Sequence, residues 1–200
     1  MSMPRPATTP ALDVEDLVQA SLRILRDYGL ADLSMRRVAK ELQVQPSALY
    51  WHVPDKQSLL ALVADRLLSE VRTAGLTGDR TIDVHGRATA LHGCLLATRD
   101  GAELVASVVA LGTGGRRVRI LLEEAAPGQA VLVEAVLSLL LGHALVVQQR
   151  RQAQELGLAP AGGAADGPAG RMAEGPGFPD LLDLVLGPPA GSAPRSDLPA

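Results

Sequence analysis

Cysteine is almost absent from this 200-residue chain. Cys94 stands alone, which excludes an intramolecular disulfide framework and every cysteine-cluster zinc or iron–sulfur site. Aromatics are nearly as scarce, at one Trp, two Tyr and one Phe, and two of these four are the neighbours Tyr50 and Trp51. No sustained alternation of apolar and polar residues marks a strand, so the chain reads as all-α. Excess charge of one sign is missing too: 19 Lys+Arg against 22 Asp+Glu give a formal net charge of −3. Bulk charge therefore does not announce nucleic-acid binding, since a footprint on phosphate is set by local clustering. Paired carboxylates, a nucleophile–base pair or a metal cluster at convincing spacing are likewise lacking. The grouping of Ser107, His92 and Asp100 is no closer than chance, and no catalytic residue, metal or cofactor is expected. With no basic-plus-apolar leader, the expected location is cytoplasmic. The stretch 130–147 is the nearest thing to a membrane span, yet Glu134, Ser138 and His143 mark it as a buried helix of a soluble body, and no membrane partner is expected.

What is present is 47% hydrophobic residues, enough to bury a core in a small head and a larger body. Residues 1–12 read as a flexible arm. Asp13 stands where a helix N-cap belongs, and Val14, Leu17, Val18, Ser21, Leu22, Leu25 and Tyr28 recur at helical spacing until Gly29 ends the run. Ser34 caps a second helix through Leu42, with Val38 and Leu42 inward and Arg36, Arg37 and Lys40 toward solvent. A short third helix spans 45–52 around Leu49. Pro54 and Asp55 then separate it from a fourth helix over 56–72, long enough to connect head to body. Further helices are expected over 81–98, 101–111, 115–125, 129–156 and 178–186. A Gly/Ala/Pro-rich loop at 157–177 and a tail at 187–200 cannot build a core. The head domain is thus 13–55, the connecting helix 56–72, and the body 73–186.

The second and third helices form a helix-turn-helix, in which one helix braces the DNA backbone and the next enters the major groove. Gln45 and Ser47 suit base edges and Pro46 suits a thymine methyl. Tyr50, His52 and Lys56 suit phosphate oxygens, and Arg36 suits either. Trp51 is expected in the core. Arg37 and Lys40 fit an ordinary solvated face equally well.

The run LSMRRVAKELQVQPSALYWHVPDK, residues 33–56, resembles the N-terminal signature of the tetracycline repressor family of bacterial regulators, and LYWHV resembles its tetracycline-repressor branch. The resemblance implies a homodimer that places two third helices in successive major grooves of a palindromic double-stranded operator. It also implies DNA contacts at Arg36, Gln45, Pro46, Ser47, Tyr50, His52 and Lys56. Gln43 departs from the family, whose turn usually has Gly there; a positive φ at this position costs Gln about 1 kcal/mol. Pro46 departs as well, standing where the tetracycline-repressor branch uses a base-reading glutamine.

In the body, sparse polar groups among aliphatic helices are what an apolar pocket with a few orienting contacts requires, and also what an ordinary helical core contains. The candidates are His85, His92, Thr98 and His143, and the expected ligand is an apolar small-molecule effector. The segments 97–107 and 140–147 resemble the tetracycline-repressor core. Three positions depart where chemistry matters: Thr98, Arg72 and Arg151 align with that branch's metal-coordinating histidine, drug-contacting histidine and metal-side glutamate. Arginine has no acceptor and repels a divalent cation, so magnesium–tetracycline is a poor ligand for this chain. His85 and His92, two turns apart, make at best half a zinc site with no acidic or cysteine partner specified nearby. The family's usual last apolar helix is missing, so dimerisation is expected to rest on 129–156 or on 178–186 in an altered arrangement. Two readings remain open. One is a ligand-responsive repressor; the other is an architectural or activating DNA-binding protein whose body only dimerises.

Overall fold

Asp13 opens the first helix, α1 (Val14–Tyr28), through a reciprocal capping box. Asp13 Oδ1 accepts the Asp16 N–H at 2.8 Å and Asp16 Oδ2 accepts the Asp13 N–H at 3.0 Å, so two otherwise orphaned donors are satisfied. This is seen in a computed structural model that describes residues 12–158 and 176–187. The arm, most of the 157–177 loop and nearly all of the 187–200 tail lie outside the described residues.

The inward stripe of α1 is Leu17, Val18, Ser21, Leu22 and Leu25, joined by Ala20 and Ile24. Val14 and Tyr28 share the periodicity but are exposed, and Arg37 lies over the Tyr28 ring with its guanidinium 4.0 Å from the centroid. Helix α2 (Met35–Glu41) is capped by Ser34 Oγ, which accepts the Arg37 N–H at 3.2 Å. It ends in a left-handed cap at Gln43, φ 57, with Val44 N–H bonded to the Ala39 carbonyl at 3.0 Å and Gln43 N–H to that of Lys40 at 3.2 Å.

Helix α3 (Pro46–Leu49) is shorter than the expected 45–52. Pro46 begins it, and beyond Leu49 the chain turns, with both His52 and Val53 N–H bonded to the Leu49 carbonyl. The expectation that Trp51 packs in the core is overturned: it is 89% exposed. Leu49 and Val53 are the inward anchors of this segment, and the turn between them throws Trp51 outward. Asp55 caps α4 (Lys56–Ser69), accepting the Ser58 N–H at 2.7 Å. This helix stops three residues before the expected Arg72, because Glu70 and Val71 bond back to carbonyls only three residues away.

Among the described residues, the body comprises α5 (Arg80–Ala97), α6 (Gly101–Ala110), α7 (Arg116–Ala125), α8 (Ala130–Glu155) and α9 (Phe178–Leu186). Helix α5 packs on α6, α7, α8 and α9, while α8 also packs on α6 and α7. Helix α4 lies between the layers, meeting α1 on one side and α6 and α7 on the other, so Leu59, Leu60, Val63, Ala64, Leu67 and Leu68 are all buried. The α6–α7 turn lies flat on α4. A Cβ on Gly114 would stand 2.9 Å from Ala61 Cβ, and Gly115 donates its N–H to Asp65 Oδ1 at 2.9 Å. By length and composition α8 could cross a membrane; here it packs on α5, α6, α7 and the short α9.

The cap at Gln43 yields a stability prediction. Its side chain is exposed, so Gln43→Gly loses no packing and relieves left-handed strain of about 1–2 kcal/mol, offset by about 0.5–1 kcal/mol of extra unfolded-chain entropy. A net gain of about 0.5–1 kcal/mol is expected in urea denaturation; a loss contradicts the assignment of the strain.

Candidate functional site

One face of the head gathers most of the residues singled out in the sequence. Gln45, Pro46, Ser47 and Tyr50 are exposed in succession across α3 and its following turn, and His52 is half-buried behind them. Tyr50 is 53% exposed and, with Trp51, places two aromatic rings on this surface. Pro46 at the first helical position leaves the start of α3 open, because Gln45 makes no side-chain cap. Leu49 and Val53 root the strip in the head core, so the exposed side chains stand on a fixed base.

The cations around this strip divide into two kinds. Arg37 is committed to its own domain, pairing with Asp32 at 3.4 Å and covering Tyr28. Arg36, Lys40 and Lys56 are exposed and have no acidic partner among the described residues. Glu41 is drawn away by Arg23 at 3.4 Å, and Asp55 is occupied by the start of α4. The Ser58 amide, and then its hydroxyl, hold the Asp55 carboxyl below its usual range. Exposed cationic donors, amide and hydroxyl groups and two aromatics on α2, α3 and the start of α4 have the chemistry that phosphate and base edges require. Trp51 is the member that sequence reasoning missed. The spacing of Leu49 and Val53, four apart with Trp51 midway, was the signal that could have placed it outside.

The body candidates separate into two constellations. His92 Nε2 lies 2.8 Å from His143 Nδ1, and the His92 ring stacks on Phe178 at a centroid distance of 4.2 Å. Burial, reinforced by His143 and Arg151, lowers the His92 pKa to about 4, so this ring is neutral at neutral pH. His85 meets Asp183 of α9 at 3.7 Å. Thr98 belongs elsewhere, buried at the corner between α5 and α6, where its carbonyl accepts the Gln148 Nε2–H at 3.0 Å. Cys94 is half-buried and donates weakly to the Leu67 carbonyl. Burial, and then Glu70, raise its pKa to about 11, leaving an inert thiol. No group of three metal-ligating side chains occurs among the described residues.

Among the described residues, clefts reach the surface. One of about 540 Å³ lies between head and body and includes Tyr28, Lys56, Arg99, Asp100 and Gln152 in its walls. Another, of about 330 Å³, runs between α8 and the segment leading into α9, with His143, Val146 and Leu181 in its wall. His143 alone of the four body candidates lines either of them.

Residues 17–63 match the family model described as bacterial regulatory proteins, tetR family. The chain is 30% identical over 152 residues to the tetracycline repressor protein class G of Vibrio anguillarum, covering 72% of each protein. It superposes on the crystal structure of BioQ from Mycobacterium smegmatis with a TM-score of 0.73 at 33% identity, covering 88% of this chain and 96% of that one. BioQ bound to its double-stranded DNA operator gives 0.66 at 36% identity, covering 74% and 94%. ActR of Streptomyces coelicolor in complex with actinorhodin gives 0.64 at 28% identity, covering 88% and 94%. These similarities reach beyond tetracycline repressors, so the LYWHV resemblance does not single out that branch.

The depressed pKa of His92 fixes a pH dependence. Between its unfolded value of 6.5 and its folded value of about 4, the unfolded chain binds the proton and the folded chain does not, so stability falls as pH drops through that window. His92→Leu removes this contribution. The decline in urea midpoint between pH 6.5 and 4 is expected to be shallower in the variant; parallel profiles contradict the assignment.

Proposed function

The chain belongs to the tetR family of bacterial regulatory proteins, and from that membership we propose that it is a ligand-responsive repressor that binds a palindromic operator as a homodimer. The observation that carries this reading is the exposed strip from Gln45 to Trp51, rooted in the head core and flanked by the partnerless cations Arg36, Lys40 and Lys56. In this reading Gln45 and Ser47 take base edges, and Pro46 packs on a thymine methyl. Tyr50, His52 and Lys56 hold phosphates, Arg36 reaches a phosphate or a base, and Trp51 joins them at the DNA surface. The likeness to BioQ with its operator supports this use of the head.

Dimerisation falls to α8 and α9. Phe178 and Leu182 fasten α9 to α5 and α8, while Val131 and Val146 on α8 and Leu184 and Val185 on α9 stay exposed. A second copy placed against this surface buries them, giving the short α9 the place of the family's longer terminal helix. An apolar small molecule in the body would then shift α4 and with it the spacing of the two heads. ActR, which is seen with actinorhodin, supports a small-molecule effector of this kind. A second reading, an architectural or activating protein whose body only dimerises, is favoured by the surface position of both clefts, outside the aliphatic centre of the body.

DNA selected from random sequence by the purified protein tests the head. Tyr50→Ala and Lys56→Ala should weaken binding to every selected sequence about tenfold, or about 1.4 kcal/mol, whereas Gln45→Ala and Ser47→Ala should change which sequences are preferred. Trp51, the single tryptophan, should change its fluorescence on DNA addition. Unchanged binding in all four variants together with an unresponsive Trp51 would contradict the proposed surface. A further expectation concerns Thr98 and the exposed Arg151: magnesium and tetracycline together should leave the DNA complex intact. Release at micromolar drug would contradict that exclusion.

A further inference from the structure

We propose that Asp100 is a latch that fixes the orientation of the DNA-reading head on the body, held closed by Gln152 near the end of α8. Asp100 forms the corner between α5 and α6, with a left-handed backbone at φ 54 and only 9% exposure. Its carboxylate is divided between two distant elements. Oδ2 accepts the Leu30 N–H at 2.7 Å, from the turn between α1 and α2 in the head, and Oδ1 accepts from Gln152 Nε2. Gly29 makes the approach possible, since a Cβ there would stand 2.5 Å from Asp100 Oδ2.

The corner that carries this carboxylate is itself gripped from α8. One turn before Gln152, buried Gln148 accepts the Ala102 N–H at 3.1 Å and donates to the Thr98 carbonyl at 3.0 Å. Both ends of the α5–α6 bend are therefore tied to one side chain. Arg99 adds a bond to the Asp27 carbonyl at 3.4 Å. A chain of directional contacts thus runs from the last turns of α8, through the Asp100 corner, to the α1–α2 turn.

The apolar contacts between α4 and its neighbours hold head to body without choosing an angle between them, because such burial has no directional preference. Hydrogen bonds to a carboxylate do have one. The latch sits in the wall of the 540 Å³ cleft, so a ligand there, or a displacement of α8 from within the body, acts on the α1–α2 turn without passing through α4. The latched orientation is the one that reads DNA; releasing it spreads the heads over orientations among which few fit an operator.

This inference rests on the head being the operator reader, and its test separates the two. Asp100→Gly keeps the left-handed backbone and removes both acceptors, so neither Leu30 nor Gln152 keeps its partner there. Gln152→Leu removes the α8 side alone from a half-exposed position, and carries the test if the first variant fails to fold. Both variants should dimerise and melt close to the wild type while affinity for selected DNA falls about tenfold in each, with no further loss in the double variant. Backbone amides of residues 29–33 should exchange hydrogen faster in Gln152→Leu. Additive losses, a rise in affinity, or wild-type affinity in a folded Gln152→Leu would overturn the latch. Unchanged exchange at 29–33 overturns it whatever the DNA result, whereas a wild type that selects no DNA overturns the reading of the head.

Discussion

Everything in this molecule hangs on α4 being buried from both sides. A helix at a surface needs one narrow apolar stripe, whereas Leu59, Leu60, Val63, Ala64, Leu67 and Leu68 bury about half of the circumference of α4, enough to face two layers. Its N-terminal end emerges beside the exposed strip of the head, and its middle supports the α6–α7 turn through the Ala61–Gly114 contact and Asp65. Removing a large side chain from this helix costs about 2–5 kcal/mol and loosens two layers at once. The same double burial lets a change in the body be felt in the head, since a close-packed helix moves as a unit.

The head shows how a nearly charge-neutral segment can present a surface suited to phosphate. Several of its acids are occupied: Asp13 and Asp55 cap helices, Asp32 holds Arg37, and Glu41 pairs with Arg23. The cations left over are those that flank α3. Net charge hides this distribution, and only the pairing pattern exposes it. The aromatic pair behaves similarly. Tyr50 and Trp51 would be costly to display for no purpose, yet both face outward next to the donors of α3.

Most of the helices were legible in the sequence, because capping residues and glycines stand where the physics needs them. Asp13, Gly29, Ser34 and Asp55 each mark a boundary that the structure keeps. The positive φ at Gln43 was legible as well, as the cost of placing a side chain where the family has Gly. Trp51 was misjudged because helical periodicity was extended past Leu49, where the chain had already turned. The body was harder to read. His92 and His143 lie 51 residues apart and Asp100 and Leu30 lie 70 apart, and nothing local in sequence encodes which distant partner a buried polar group will find. Thr98 joined the Gln148 corner rather than the histidines for the same reason.

The central claim is that the face built around α3 holds a DNA backbone through cations that the fold leaves unpaired. Measuring affinity for the selected DNA as salt rises tests this most directly, because each neutralised phosphate releases counterions. A dimer anchored this way should lose affinity by roughly 10³-fold or more between about 50 and 200 mM salt, and Lys56→Ala should flatten the slope by roughly one unit per head. An affinity that stays constant across that range, or a slope untouched by Lys56→Ala, would contradict the account.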